Sequence, residues 1–414
     1  MDALASIRPA ATSWLLRSNI AELVQPFRER LVERRYASKV VRSYTYCLAH
    51  FAHWAQRRPG GAIASVERFE LFLDRHLAKC CCPPEVSRDR GHHHAALAHL
   101  RALLHEQDIP ITEGRNDIVD EELRHYDDYM RLARGLAPTT RALRLRTLRP
   151  FIEQRVSADQ TDLLPLTADH LRQFFSEMLQ RWSVASAGTL AGALRSYLRY
   201  RATHGDAVNH LISAIARPPN WRLAPLPQTL TAAETTRLLG AFGPGVASAR
   251  RGYAMVRCLV DLGLRSSEVV GLSLDDIDWK SGTVRLCRNK SRRVDILPLP
   301  HSTGSAIASY LQHERPSCAG RHLFVRCRAP VEQPVGAATV RRVVLEAFQR
   351  CGLPPVRAHA LRNTLAERLL DHGGTLKDVA DILRHRELNT TMIYAKVNNS
   401  CLAEVAMPWP GSAS

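Results

Sequence analysis

Six polar residues in the last third of the chain are of the types that phosphoryl transfer requires. In chain order they are Arg265, Lys290, His359, Arg362, His385 and Tyr394. The tyrosine offers an oxygen nucleophile, and each guanidinium offers paired N–H donors that match the oxygens of a phosphate. The lysine can release a proton to a departing oxygen, which a guanidinium hardly can. The set therefore predicts attack of a tyrosine on a phosphodiester.

The tyrosine needs the cations around it for a physical reason. A free phenol has a pKa of about 10, so at neutral pH it is a poor nucleophile. Positive groups that neutralise the phosphate oxygens lower the barrier to its attack. His359 and His385 can hydrogen-bond the phosphate or accept the tyrosyl proton. Tyr394 thus depends on Arg265 and Arg362 more than on its own neighbours in the sequence.

Helices must bring most of these residues together. Arg265 lies at the junction of two predicted helices, 253–262 and 267–274. His359 and Arg362 are three residues apart, which puts both on one helical face. The remaining helices of this region are predicted at 361–370, 376–383 and 390–396, and Tyr394 lies on the last.

A predicted β-hairpin places Lys290. Residues 283–287 and 293–299 alternate apolar and polar as two strands, and 288–292 form the turn between them. A lysine at the tip of such a hairpin can extend toward a groove. The register of the turn is open, because four further cations stand close by: Lys280, Arg288, Arg292 and Arg293.

Together these segments resemble the catalytic domain of the tyrosine recombinase (phage integrase) family. The resemblance covers residues 227–400 and rests on motifs in the family's order: 262–272 (LGLRSSEVVGL), Asn289-Lys290 with Leu297-Pro298-Leu299, 359–362 (HALR), 383–385 (LRH) and 390–394 (TTMIY). It implies that Glu268 supports the first arginine. It also implies that the catalytic positions are taken by Arg265, Lys290, His359, Arg362, His385 and Tyr394.

The resemblance implies a reaction as well. The family forms a 3′-phosphotyrosyl bond and releases a 5′ hydroxyl, and the 5′ hydroxyl of the other duplex then attacks. Bond energy is conserved, so no ATP, metal or other cofactor is expected. The chain departs from the family pattern at Asn363, where a second histidine is usual, at Arg384, where glycine is frequent, and in a strand before Lys290 that is one residue longer. We expect these departures to affect packing around the site rather than the reaction type.

The charge of the chain favours a polyanionic partner. Its 414 residues include 57 Lys and Arg against 40 Asp and Glu, a formal net charge of +17. Nucleic acid is the expected partner, although a membrane-surface or ribosome-associated protein could be as basic. The cations are spread along the chain rather than collected in a tail. Residues 1–20 lack the apolar core of a signal peptide and no apolar run could span a bilayer, so we expect a cytoplasmic protein.

The fold is predicted to be mainly α with a small antiparallel β element. Helical periodicity indicates an N-terminal helical unit at 1–115 and a helical core-binding (SAM-like) domain at 116–215. Both have the layout of four-helix units, either as a duplicated DNA-gripping module or as two generic bundles. In the second unit, Thr139 or Thr140 is placed to cap the second helix. Candidate DNA contacts there are Arg141, Arg144, Arg195 and Arg199.

A proline-rich linker separates the helical units from the catalytic region. Four prolines fall within residues 216–228, which favours an extended tether. Thr231 and Glu234 then have capping-box spacing, which indicates the start of a new domain. An α+β catalytic domain is therefore predicted at 229–405, followed by a tail at 406–414.

Cysteines and histidines are concentrated at one place in the N-terminal unit. Three consecutive cysteines, Cys80, Cys81 and Cys82, precede three consecutive histidines, His92, His93 and His94. Zinc ligands are usually spaced by two to four residues, and adjacent side chains point in different directions. The pattern therefore favours a buried, reduced thiol patch beside a polar loop over a metal site.

The function expected from these features is site-specific DNA recombination for a mobile genetic element. The expected partners are double-stranded DNA, further copies of the chain in a homotetramer on synapsed sites, and accessory recombinases, with no membrane. A type IB topoisomerase shares the tyrosine chemistry but religates the same strand. A DNA-binding protein without chemistry is the other alternative, since residues 365–383 could form a helix-turn-helix around Gly373-Gly374. Such a protein would have no need of Tyr394.

Overall fold

The computed structural model describes residues 7–58, 66–83, 87–109, 118–156, 165–182, 184–216, 226–287, 294–331, 333–385 and 390–396. The chain divides into two compact units. The first comprises Met1–Val24 and Tyr44–Trp221, and the second Gln25–Ser43 and Arg222–Ser414. The finer division at 1–115, 116–215 and 229–405 stays a prediction, and most of the predicted linker lies outside the described residues. None of the helices described is both long and apolar enough to cross a membrane.

The N-terminal stretch is helical, as its periodicity predicts. Its helices are α1 (Pro9–Leu16), α2 (Val24–Glu33), α3 (Ser38–Gln56), α4 (Val66–Glu70) and α5 (Arg90–Glu106). Helix α4 continues as a π-helical turn at Leu71–His76 and a 3-10 turn at Leu77–Lys79. Leu23, Phe27 and Leu31, spaced four residues apart along the chain, are all buried.

The thiol patch predicted in this stretch is only partly buried. Cys82 is buried and Cys80 half-buried, whereas Cys81 is exposed. His93 is fully buried, and both His92 and His94 are exposed. The flanking histidines therefore do not face the thiols as a group.

A second helical stretch lies wholly in the first unit, whereas most of α2 and the start of α3, at Gln25–Ser43, belong to the second unit. It consists of α6 (Ile118–Leu132), α7 (Pro138–Glu153), α8 (Ala168–Arg181) and α9 (Val184–Thr203), followed by a 3-10 helix at Asn209–Ala214. The prediction that Thr139 or Thr140 caps α7 is wrong. Ala137 is the N-cap residue and makes no side-chain cap, and Pro138 occupies the first turn. Proline suits this position, because it has no N–H to satisfy and its φ is preset for a helix.

The second unit combines helices with a three-stranded antiparallel sheet. Its helices are α10 (Ala232–Gly240), α11 (Ala249–Asp261), α12 (Ser266–Gly271), α13 (His301–His313), α14 (Ala337–Arg350), α15 (His359–Asp371) and α16 (Leu376–Ile382). The strands β1 (Ile277–Asp278), β2 (Thr283–Leu286) and β3 (Asp295–Pro298) follow that order in the sheet. The capping box of Thr231 and Glu234 is present at the start of α10.

The predicted hairpin is confirmed in its strands. Val284 pairs with Leu297 and Arg285 with Ile296, both antiparallel. The turn, and with it Lys290, lies outside the described residues. The two-residue strand β1 was not predicted, because it is too short to show a period of two. Fold class is confirmed as mainly helical with a small antiparallel sheet.

Helix α11 forms the centre of the second unit. It packs against α13, α14 and α15. Ala254, Met255, Val256, Cys258 and Leu259 are almost completely buried. The predicted final helix is instead a short 3-10 helix at Met392–Lys396. The helix predicted at 267–274 is also shorter than expected. Helix α12 ends at Gly271, and a separate 3-10 turn follows at Leu274–Asp276.

Candidate active site

The structure brings together the five predicted catalytic residues that it describes. Arg265 precedes α12, and His359 and Arg362 lie on the first turn of α15. His385 follows α16, and Tyr394 lies on the final 3-10 helix. The charges of Arg265 and Arg362 act on both histidines and on the tyrosine.

Gly263 makes the approach of these elements possible. Its φ is +57°, a left-handed conformation that glycine adopts without a steric cost. A Cβ at this position would lie 2.8 Å from Leu383 Cδ2 and 2.9 Å from Leu365 Cδ2. A side chain at this position would strain the backbone and push Leu383 and Leu365 away from the turn that carries Arg265.

Glu268 holds Arg265 in place. One carboxylate oxygen accepts a hydrogen bond from Arg265 Nη1 at 2.6 Å, and the other accepts from the Arg265 backbone N–H at 2.8 Å. Glu268 is buried, whereas the Arg265 side chain keeps 29% of its surface exposed. The predicted supporting role of Glu268 thus has a geometric basis, and the guanidinium stays accessible to solvent.

Arg384 is a second arginine on Glu268, and its importance was not evident from the sequence. Its Nη2 donates to the carboxylate at 2.9 Å, and both side chains are nearly fully buried. Burial alone would raise the pKa of Glu268, but Arg384 and then Arg265 lower it below its ordinary value. The carboxylate therefore stays ionised between two guanidiniums.

Arg384 also ends α16 in a left-handed backbone conformation, which is uncommon for a residue with a large side chain. Its φ is +56°, and its N–H bonds Asp381 O at 3.0 Å while the next N–H, of His385, bonds Ala380 O at 2.9 Å. This pair of bonds is a Schellman motif, in which glycine is usual. The ion pair with Glu268 offsets the cost of the left-handed conformation, which explains how arginine is accommodated where the family often has glycine.

Arg362 is buried, with 1% of its surface exposed. Its Nη1 donates to Gly263 O and its Nη2 to Leu383 O. Its Nε has no hydrogen-bond partner among the described residues. Burial, followed by the charges of Arg265 and Arg384, lowers the pKa of Arg362 to about 9, so the side chain remains a cation at neutral pH. The residue therefore ties the Gly263 turn to the end of α16 and keeps one donor unsatisfied.

The tyrosine hydroxyl is bound to a residue that departs from the family pattern. Tyr394 is 2% exposed, and its hydroxyl donates to Asn363 Oδ1 at 2.9 Å. Asn363 Nδ2 in turn donates to Gln228 O at 3.1 Å. Asn363 is thus the direct partner of the hydroxyl group and not a residue of the surrounding packing alone. Its position directly after Arg362 was the only signal in the sequence.

His385 is held beside the tyrosine ring. Its Nδ1 lies 2.7 Å from the hydroxyl oxygen of Thr391, a buried residue. The two rings are nearly parallel, with an interplanar angle of 6° and centroids 6.3 Å apart. Thr391 was not singled out from the sequence, although it is the middle residue of a TTM triplet. It fixes the orientation of the imidazole.

The cations set the protonation states of the cluster. Burial, followed by Arg362 and Arg265, lowers the pKa of His385 to about 4. The same causes lower the pKa of His359, which is partly desolvated even though its surface is largely exposed. Burial raises the pKa of Tyr394, and Arg362 and Arg265 oppose that rise. At neutral pH the cluster thus has cationic arginines, neutral imidazoles and a protonated phenol.

The arginines predicted to contact DNA differ in how accessible their side chains are for such a contact. Arg141 forms an ion pair with Asp127 at 2.9 Å, and Arg144 donates to Ser196 Oγ at 2.7 Å. Arg195 donates to the carbonyls of Ile215 and Ala216 at 3.1 and 2.9 Å. Arg199 is exposed. The first three have structural partners in the protein, so Arg199 is the most accessible of the four predicted contacts.

Comparison with known proteins identifies relatives of the chain. Residues 228–400 match the phage integrase family. The chain is 34% identical over 402 residues to the putative integrase/recombinase y4rA of Sinorhizobium fredii, covering 95% of each protein. It is 29% identical over 310 residues to the tyrosine recombinase XerD of Mycobacterium tuberculosis, which spans 70% of this chain and 96% of XerD.

Solved structures share the fold. The XerH site-specific recombinase bound to a palindromic difH substrate has a TM-score of 0.55 at 20% identity, over 83% of this chain and 96% of that one. The Tn1549 transposon integrase in complex with transposon right end DNA has a TM-score of 0.51 at 16% identity, over 68% of this chain and 99% of that one.

Proposed function

The chain belongs to the phage integrase family of tyrosine recombinases, enzymes that cleave and rejoin DNA, and on that premise we propose that it recombines specific DNA sites with Tyr394 as its nucleophile. The observation that carries the proposal is the hydrogen bond from the Tyr394 hydroxyl to Asn363, the residue after Arg362 on α15, with the charge of Arg265 also acting on the phenol. Two cations beside a buried phenol are what attack on a phosphodiester requires.

The first step is attack of the Tyr394 hydroxyl oxygen on phosphorus. The bond from phosphorus to the 5′ oxygen breaks, a 3′-phosphotyrosyl bond forms, and a proton passes to the departing oxygen. Lys290 is the proposed donor of that proton. In the second step, the 5′ hydroxyl of another duplex attacks the phosphotyrosyl bond and releases the tyrosine. The number of phosphoester bonds is unchanged, so the proposal needs no ATP and no cofactor.

Arg265 and Arg362 are the proposed phosphate ligands. Glu268 accepts hydrogen bonds from the Nη1 and the backbone N–H of Arg265, and the side chain of Arg265 remains partly exposed. Arg362 offers its unsatisfied Nε. Each would meet a phosphate oxygen through a charge-assisted hydrogen bond.

The tyrosyl proton needs an acceptor other than Asn363. An amide oxygen can orient the phenol through the 2.9 Å hydrogen bond, but it cannot serve as a base at neutral pH. His359 and His385 are neutral there, because burial and the two arginines lower the pKa of each imidazole. We assign the base to this pair. Departure of the hydroxyl from Asn363 then accompanies its activation.

The biological setting is part of the same proposal. We propose that the recombined DNA belongs to a mobile genetic element, that four copies of the chain assemble on two synapsed sites, and that accessory recombinases take part. Action on the chromosome places the protein in the cytoplasm at the nucleoid. The relative similar over 95% of its length is named a putative integrase/recombinase, which supports the recombination of integrating DNA.

A covalent-adduct assay tests the proposal. The chain is incubated with nicked double-stranded fragments from the DNA flanking its gene, and the products are separated on a denaturing gel. We expect a protein–DNA adduct whose nuclease-treated peptide carries the nucleotide on Tyr394. Tyr394→Phe should give no adduct, and Tyr253→Phe, a half-buried tyrosine outside the cluster, should retain it.

The outcomes separate the alternatives. Absence of adduct from both wild type and Tyr394→Phe, on DNA that the wild type binds specifically, would refute the chemistry and leave a DNA-binding protein. An adduct accompanied by relaxation of supercoiled plasmid, with no exchange between two site-bearing duplexes, would refute recombination in favour of topoisomerase activity.

A further inference from the structure

Four side chains of the first unit direct their metal-binding atoms toward one another. They are His50 on α3, His76 at the end of the π-helical turn, and Cys80 and Cys82 in the loop that follows. Their ligand atoms all lie within 4.8 Å of one another. His50 Nε2 is 3.1 Å from His76 Nε2 and 3.3 Å from Cys80 Sγ, and Cys82 Sγ is 3.5 Å from His76 Nε2. We call these four residues the thiol–imidazole cluster.

The distances agree with a tetrahedral site. Zinc binds imidazole nitrogen at about 2.0–2.1 Å and thiolate sulfur at about 2.3 Å. Tetrahedral angles then place two nitrogens about 3.3 Å apart, and a nitrogen and a sulfur about 3.5 Å apart. The 3.1, 3.3 and 3.5 Å separations in the cluster are close to these values. These three pairs have the spacing of a tetrahedral site, and all four ligand atoms lie within 4.8 Å of one another, close enough to surround one ion.

A fifth residue, His93, fixes the tautomer of His50. His93 Nδ1 lies 2.8 Å from Asp89 O, which can only accept, so Nδ1 carries the proton. His93 Nε2 is then an acceptor, and it lies 3.1 Å from His50 Nδ1, which must donate. The lone pair of His50 is left on Nε2, the atom that faces the cluster. Metal-binding histidines usually donate their other ring N–H in this way.

The backbone supports one of the sulfurs. The N–H of Cys82 donates to Cys80 Sγ at 3.4 Å. A donor aimed at sulfur favours the thiolate form, which is the form that binds metals. Cys81 between them is exposed and points elsewhere. The turn thus selects the first and third of the three consecutive cysteines.

Burial and charge are consistent with a closed site. His50 is fully buried and Cys82 nearly so, while His76 and Cys80 are half-buried. Two thiolates and two neutral imidazoles would offset the charge of one divalent cation. A neutral complex is the form that a buried site tolerates best.

Hydrogen bonding alone explains the cluster less well. His50 Nε2 has a single lone pair, and both His76 Nε2 and Cys80 Sγ lie within hydrogen-bond distance of it. Only one of the two can donate to that lone pair. A cation satisfies all the facing lone pairs at once.

We propose that His50, His76, Cys80 and Cys82 form a structural zinc site. An S2N2 set of this geometry suits zinc, whereas magnesium and calcium prefer oxygen ligands. With four protein ligands the site has no open position, so its role is to hold structure. The ion links α3, the π-helical turn and the loop 80–82. This role is independent of the proposed recombination chemistry.

Metal analysis of the full chain tests the proposal. The protein is expressed with zinc in the medium, purified without chelator, and its zinc and iron contents are measured per chain. We expect about one zinc in wild type and in the matched control Cys81→Ser, and none in the double variant Cys80→Ser/Cys82→Ser. Less than a tenth of an equivalent of zinc in wild type, or equal zinc in the double variant, would overturn the site. Iron in place of zinc would overturn the choice of ion.

A second measurement does not depend on whether the double variant folds. Wild-type protein stripped of metal is titrated with Co²⁺ and its absorption spectrum is recorded. We expect strong tetrahedral Co²⁺ bands in the visible and a thiolate-to-metal band in the near ultraviolet, both displaced by Zn²⁺. Only weak octahedral bands would refute the site. His93→Phe, which leaves all four ligands in place, should weaken zinc binding about 10–100-fold through loss of the His50 partner.

Discussion

The candidate active site of the second unit and the thiol–imidazole cluster of the first unit are both groups of buried polar side chains, but their electrostatic imbalance has opposite sign. In the active site, Arg265 and Arg384 both donate to the carboxylate of Glu268, and Arg362 adds a third positive charge. The thiol–imidazole cluster instead directs lone pairs and thiols inward. The first site lacks an anion and the second lacks a cation.

In both sites, a ligand can be inferred from the charge or the lone pairs that the side chains leave unsatisfied. Burial, followed by the charges of Arg362 and Arg265, lowers the pKa of both active-site histidines, so a further cation is unfavourable there. A phosphate would relieve that repulsion. In the thiol–imidazole cluster the facing lone pairs lack a common acceptor, which a metal ion supplies.

Substitution of Arg362 should give the largest effect. Arg362→Ala removes a proposed phosphate ligand, and arginines in comparable phosphoryl-transfer sites contribute about 10³–10⁵ in rate. We expect the rate of adduct formation to fall by at least about 10³-fold, while DNA affinity changes far less, because many other cations bind DNA. Gel-shift and single-turnover cleavage assays measure the two quantities.

Arg362 also donates to the carbonyls of Gly263 and Leu383, so its loss affects structure. Arg362→Lys serves as the control, since it keeps the charge but not the paired donors. If Arg362→Lys cleaves at the wild-type rate, the proposed contact between the Arg362 guanidinium and the phosphate is wrong. If Arg362→Ala loses DNA affinity and cleavage rate to the same extent, with an unchanged melting temperature, the proposed role of Arg362 in cleavage is also contradicted.

DNA binding at the active site should take up protons, whereas zinc binding at the thiol–imidazole cluster should release them. Burial and the arginines lower the pKa of His385 to about 4 in the free protein. A DNA phosphate raises that pKa, so binding takes up protons and DNA affinity rises as the pH falls from 7 toward 5, by up to about tenfold per pH unit for one proton. Zinc binding to thiols instead releases protons, so zinc affinity falls with the pH.

Calorimetry in buffers of different ionisation enthalpy measures both effects. His385→Gln should reduce the proton uptake on DNA binding, and His313→Gln, an exposed histidine of α13, should not. Proton release on DNA binding, or proton uptake on zinc binding, would invalidate the contrast between the sites.

The smallest effect concerns the end of α16. Arg384→Gly and Arg384→Ala both remove the ion pair with Glu268, but only alanine retains the cost of a left-handed residue, about 1–2 kcal/mol. We expect Arg384→Gly to melt about 2–4 °C above Arg384→Ala in calorimetry. Equal melting temperatures would show that the backbone at this position relaxes, and that the ion pair does not hold a strained residue.

Sequence reasoning succeeded where chemistry and order along the chain coincide. The motifs around Arg265, Arg362 and Tyr394 are contiguous, and the strands of the hairpin show their period of two, so the family, the fold class and the strands followed from the sequence alone. Short or irregular elements could not be predicted from the sequence. The two residues of β1 and the 3-10 helix that carries Tyr394 are too short for periodicity to define.

The family and the set of polar residue types available for chemistry could be identified from the sequence. Tertiary structure alone decided which of them meet: Tyr394 with Asn363, Arg384 with Glu268, and His50 with Cys80. The physical reason is distance along the chain. These contacts join residues separated by about thirty to more than a hundred positions, and side-chain spacing within one helix or strand carries no information about such pairs.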